Sequence, residues 1–133
     1  MFERVKLPYG YNDLEPQIDG ETVKTHYEGH HKTYMEKFNA LLDGLDAFKG
    51  MQPEEILRNL DKAPADKKNG LKNNGGGFYN HNLYFESLTP GGKKPSEKLA
   101  SLIDKSFGSY NKMLEELDKA ATATLFGSGY AWL

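Results

Sequence analysis

Residues 23–45 read VKTHYEGHHKTYMEKFNALLDGL, and the bulky positions Val23, Tyr27, His30, Tyr34, Phe38, Leu41 and Leu45 recur at spacings of 4, 3, 4, 4, 3 and 4. That is the stripe of an amphipathic helix packed along its length. Asp19 stands where an N-cap belongs, and Gly44 and Gly50 end the run. Before it, Pro8, Gly10, Asn12, Pro16 and Gly20 predict an extended arm with turns. The stripe contains a histidine, His30, and another, His26, lies one turn earlier.

Moving outward, Pro53 suits the first turn of a short second helix, and KAPADKKNG at 62–70 reads as a polar connector. Leu71, Phe78, His81, Phe85 and Leu88 then recur at spacings of 7, 3, 4 and 3, again helical. Gly75-Gly76-Gly77 interrupts the pattern, because each glycine costs ~1 kcal/mol relative to alanine inside a helix. Propensity by itself cuts the helix there and restarts it near Phe78. The other reading is that something approaches the backbone closely at the glycines.

TPGGKKP at 89–95 marks a boundary, giving an arm and helical hairpin over 1–88, a linker over 89–95 and a second segment over 96–133. In that segment Ser96 caps a run carrying Leu99, Leu102, Ile103 and Phe107, and Gly108-Ser109 recaps a further helix with Met113, Leu114 and Leu117. The closing LFGSGYAWL, 125–133, alternates Tyr130 and Trp132 with small residues, which is strand chemistry. A lone strand leaves its backbone groups without a ladder, so at least two further strands are expected to follow.

The 133 residues and 15.0 kDa fit one ordinary domain by length. Lys+Arg number 17 against 19 Asp+Glu, a net charge of -2 without the basic excess of a nucleic-acid or anionic-membrane binder. There is no cysteine, which removes disulfides, zinc-thiolate sites, iron–sulfur clusters and cysteine nucleophiles; any metal must be held by nitrogen and oxygen. No stretch approaches the ~18 apolar residues of a membrane span, and MFERVKLPYG has charges where a signal peptide needs an apolar run. The expected setting is intracellular, cytoplasm or organelle matrix. The glycine run precedes Phe-Tyr-Asn, unlike a Walker loop or a dinucleotide fingerprint.

All four histidines fall in two places: His26, His30 and His31 on the first helix and His81 on the later one. Residues four apart share a helix face, so His26 and His30 are spaced either to chelate a metal or to lie half-buried and hydrogen-bonded. His81, on the periodic face of a second helix, is placed to meet them across an antiparallel hairpin. Tyr34 lies two turns beyond His26 on nearly the same face. The aromatics around His81, namely Phe78, Tyr79, Tyr84 and Phe85, read as packing before they read as a cofactor box.

Four motifs, LPYGYNDLEPQID, THYEGHHKTYMEKFN, NNGGGFYNHNLYFESL and LFGSGYAWL, resemble in order and spacing the iron/manganese superoxide dismutases, from about Leu7 to Leu133. The resemblance implies an α+β fold: an N-terminal hairpin of two long helices, then helices on a three-stranded antiparallel sheet. The residues here would supply the mostly α part, meaning the hairpin and the first helices and first strand of the second domain. It implies one manganese or iron ion per subunit, superoxide as substrate, and a homodimer or homotetramer. His26 and His81 match metal ligands. His30 and Tyr34 match positions that line the substrate funnel and organise proton delivery, which displaces His30 from the ligand role that spacing suggested. His31 reads as structural.

Phe85 and Tyr130 stand where the family usually has tryptophans and are expected as aromatic walls of the metal pocket. Gly77 occupies a place where iron-type members often carry glutamine, which leans towards manganese. The family's D-x-W-E-H-A-Y stretch, holding the remaining two ligands, is not among these residues. Two imidazoles hold a first-row divalent metal weakly and without selectivity, so the 133 residues by themselves are not expected to form a competent catalyst. The alternatives are a non-catalytic helical fragment of such an enzyme, or a small metal-binding protein using His26 and His30.

Overall fold

The computed structural model describes residues 1–123 and 128–133, which fall into two compact units, Met1–Gly92 and Lys93–Leu133. The first unit is a helical hairpin. Helix α1 runs without interruption over residues 20–42, as an α-helical start Gly20–Lys24, a wide π-helical stretch Thr25–His31 and an α-helical end Lys32–Leu42. Asp19 caps it, its carboxylate accepting from the Thr22 amide at 2.8 Å, as the sequence predicts. Pro53–Arg58 forms the short α2 with proline in its first turn. Helix α3, residues 65–87, has the same composite build: Ala65–Gly70 α-helical, Leu71–Gly75 π-helical, Gly76–Ser87 α-helical.

The two long helices cross antiparallel, the π stretch of α1 against the C-terminal part of α3 and the later part of α1 against its start. Phe38 from α1, Leu71 and Phe78 from α3, Ile56 from α2 and Phe48 from the intervening loop form the core. Each such fully buried side chain contributes roughly 1.5–3 kcal/mol by leaving water. A smaller cluster of Tyr9, Leu14 and Val23 seats the N-terminal arm against the start of α1.

Two expectations fail here. Propensity would break the second helix at Gly75-Gly76-Gly77 and leave 62–70 as connector; instead α3 begins at Ala65 and passes straight through the glycines. The reason is close packing. A Cβ on Gly75 would stand 2.6 Å from the Phe38 ring, and one on Gly77 would overlap the ring of Tyr34. Burial of two aromatic rings outweighs the propensity cost that the absent side chains incur.

The second correction concerns His30, assigned by spacing to the buried stripe. The structure leaves His30 exposed and buries the adjacent His31 completely. From Tyr27, steps of three and four residues are both compatible with an α-helix, and the wider i→i+5 turn selects the longer step.

In the second unit, Ser96 caps α4, Glu97–Phe107, and Ser109 caps α5, Tyr110–Thr122, each hydroxyl accepting the predicted backbone amide. Gly108 joins them at φ +85, a conformation that favours glycine. Ile103 and Met113 are buried, but Leu99, Leu102 and Leu114 of the predicted stripes are exposed, along with Trp132 and Leu133. The strand expected over 125–133 falls partly outside the described residues. Its described part, Ser128–Leu133, is not in a strand, and a strand needs a ladder partner that the described residues do not provide. No helix among the described residues is long and apolar enough to cross a membrane.

Candidate metal centre

His26 leaves α1 from the π stretch and His81 leaves α3 one turn after the glycines, and their rings meet with centroids 4.7 Å apart at 73°. His30 is farther from His26, at 6.0 Å. Tyr34 packs against His81 at 5.0 Å, over the bare backbone of Gly77. Phe85, almost wholly buried, lies 5.1 Å from His26, and Tyr84 lies 5.3 Å from both rings. Phe85 is itself pinned through its carbonyl, which accepts the Tyr9 hydroxyl at 3.0 Å. The hairpin thus brings His26, His30, Tyr34, His81 and Phe85 together. Tyr130 is half-buried and belongs to the second unit.

The electrostatics favour neutral imidazoles. Burial, reinforced by the neighbouring His81 and His30, pushes His26 down to about 4 from the ordinary 6.5. Burial also lowers His81, against the opposing pull of its bond to the Gly77 carbonyl. That bond, 2.7 Å from Nδ1, fixes the tautomer in the neutral ring: Nδ1 carries the proton and donates, so Nε2 keeps its lone pair. A ring oriented this way by a backbone carbonyl is what a metal-ligating histidine requires. Two neutral imidazoles, one with its donor atom already selected, therefore fit a first-row metal ion. Among the described residues no third histidine or carboxylate joins them in a group of three suited to holding an ion.

Two residues read from the sequence only as structural or as packing stand at this site. His31 stacks on His81 at 5.4 Å and 23° and on Phe85 at 5.5 Å and 18°, so it forms the floor beneath the pair. Tyr84 was read only as packing, although its position three residues after His81 puts it on the same helix face and against His26. Burial raises the Tyr84 hydroxyl above its ordinary value.

The model of the iron/manganese superoxide dismutase alpha-hairpin domain matches residues 1–89, and that of the C-terminal domain of the same enzymes matches residues 95–133. The chain belongs to the iron/manganese superoxide dismutase family. Among the family's members, a superoxide dismutase [Fe] of Raoultella planticola is 44% identical over 133 residues, covering 99% of this chain and 77% of its own length. A superoxide dismutase [Mn] of Salmonella typhimurium is 44% identical over 127 residues, covering 96% of this chain and 61% of its own. A superoxide dismutase [Mn] of Listeria monocytogenes is 41% identical over 133 residues, covering 99% and 65%. The chain thus spans between 61% and 77% of the length of these dismutases.

Proposed function

We propose that this chain contributes His26 and His81 as ligands of a single manganese or iron ion in a superoxide dismutase, the reaction being two superoxide radicals and two protons giving dioxygen and hydrogen peroxide. The observation that carries the reading is the convergence of His26 and His81 from the two helices of the hairpin, with His81 Nδ1 committed to the Gly77 carbonyl. Bound metal would supply the one-electron oxidation and reduction between the two half-reactions.

The protein's own part is positioning and proton supply. Phe85 and Tyr84 wall His26, and His31 backs His81, so the imidazoles are held in place and kept neutral. Tyr34, whose ring packs against His81, supplies its hydroxyl as a proton donor, and the exposed His30 passes protons in from solvent. Manganese is the preferred ion in this reading, because Gly77 stands where iron-type members often carry glutamine and the Tyr34 ring leaves no room there for a side chain. The assembly in this reading is a homodimer or homotetramer.

Titration with manganese(II) tests the assignment directly. His26→Ala and His81→Ala should each lower affinity on the order of 100-fold, and His30→Ala should leave it nearly unchanged. Equal losses for His30→Ala and His26→Ala would instead support a helical His26/His30 chelate.

A further inference from the structure

The π stretch Thr25–His31 decides which histidines face the pocket, and one side chain from the N-terminal arm reaches into that stretch. Arg4 donates from Nη1 to the Tyr27 carbonyl at 2.6 Å and from Nη2 to the Glu28 carboxylate at 3.3 Å, while its guanidinium lies 4.1 Å from the centroid of the Tyr27 ring. Tyr27 returns the contact by donating its hydroxyl to the Val5 carbonyl at 2.7 Å, and Tyr11 donates to the other oxygen of Glu28 at 2.9 Å. The arm is tied at both ends of this segment: Phe2 exchanges two hydrogen bonds with the Asn39 side chain on α1, and the Val5 amide donates to Asn82 on α3.

This is unlike an ordinary surface ion pair, which contributes little. The Arg4 side chain is only 18% exposed, and its fork spans a backbone carbonyl, a carboxylate and an aromatic face at once. The location is also particular. Downstream, the register of α1 is fixed by Phe38 in the core; upstream, Tyr27 is the residue that Arg4 and Val5 hold. The wide turn, Thr25–His31, contains the Tyr27 anchor, ends before Phe38 and takes up the phase difference. A slip of one residue rotates a side chain by about 100°, enough to exchange His31 for His30 on the inner face and to turn His26 away from His81.

We propose that Arg4 is a positioning residue of the metal centre: by clamping the Tyr27 carbonyl it holds the π register that presents His26 to His81 and buries His31 beneath them. The inference rests on the metal-site reading above, and the experiment separates the two. In the full chain, Arg4→Met keeps an apolar stem and removes the fork, Arg4→Lys keeps the charge and a single donor, and Glu28→Gln removes the ion pair but leaves the carbonyl bond. Amide hydrogen exchange without metal reports the register, and cobalt(II) binding with its visible spectrum reports the ligand geometry.

Arg4→Met should speed exchange of the amides of residues 26–31 at least tenfold while those of 78–85 keep wild-type protection. It should also weaken cobalt(II) binding about tenfold with an altered spectrum. Arg4→Lys should recover most of both effects, and Glu28→Gln should change neither by more than about threefold. Wild-type exchange and spectrum in Arg4→Met would overturn the proposal, as would an acceleration equal at 26–31 and 78–85, which marks general destabilisation. A wild-type chain that binds no cobalt(II) would sink the metal-site reading, and the exchange arm would still decide the role of Arg4.

Discussion

Gly76 and Gly77 are neighbours in one helix with opposite requirements. Gly77 faces the Tyr34 ring with no room for a Cβ, whereas a Cβ on Gly76 would meet nothing within 4 Å. Gly77→Ala should therefore cost about 1–3 kcal/mol by displacing Tyr34 or bending α3, and Gly76→Ala should stabilise by about 0.5–1 kcal/mol through the unfolded chain. Urea denaturation of both variants checks the pair, and the same sign of change in both would contradict the packing argument. At this scale the sequence exposed the choice without resolving it. Three consecutive glycines inside an apolar stripe signal a close approach, but only the crossing of α1 over α3 tells which glycine carries it. His30 and His31 show the same limit. Either spacing suits a helix, and a register set by contacts more than twenty residues away selected His31.

Among the elements, the helix ends were the most legible part of the chain, because a cap is a local bond between a side chain and an amide three residues on. Asp19, Ser96 and Ser109 all make that bond. Ser109→Ala should cost about 1 kcal/mol. It should speed amide exchange in the first turn of α5 more than in α4; uniform acceleration across both helices would assign Ser109 a different role. The π stretches were illegible for the complementary reason. Nothing in THYEGHH or LKNNG names an i→i+5 turn, since π segments arise where packing on both sides imposes a phase that an α-helix does not meet. The N-terminal arm was read as extended from its prolines and glycines, but its attachment through Arg4, Tyr9 and Asn39 spans up to 76 residues of sequence and lay beyond any local pattern.

For the whole molecule, three histidines, His31 and His81 buried and His26 half-buried, sit where their charge is disfavoured. His26 and His31 are each pushed down to about 4, chiefly by burial and then by the neighbouring His81, and burial lowers His81 as well. Their native values lie below the ~6.5 of an unfolded chain, so acid adds protons to the unfolded state first. The stability this represents is complete above pH ~6.5 and is lost as the pH falls towards 4. For His31, which is 0% exposed, the loss at pH 5 is about 2 kcal/mol. Metal-free protein should show a urea midpoint that falls steadily from pH 7 to pH 4.5, with a shallower fall in His31→Phe, where an apolar ring takes the stacked position. A midpoint independent of pH would mean that the buried rings are hydrated. The two units should also differ in resistance. Lys93 is exposed after Gly91 and Gly92, both at positive φ. Limited trypsin digestion should cut there before it cuts within α1 or α3, and early loss of the hairpin would contradict the division.

The amino-acid sequence by itself determined the helical hairpin, its caps and the family to which the chain belongs. These are written in periodicity, capping residues and ordered motifs, each readable within a few turns. The tertiary structure decided which of two adjacent histidines is buried, that α3 runs through three glycines, and that His81 offers Nε2 while Gly77 holds Nδ1. The first two depend on what the opposite helix or the arm brings across a contact, and the third on a hydrogen bond between neighbouring turns of α3. The energies of such contacts, aromatic burial and hydrogen bonds between distant segments, exceed the local preferences that a sequence displays.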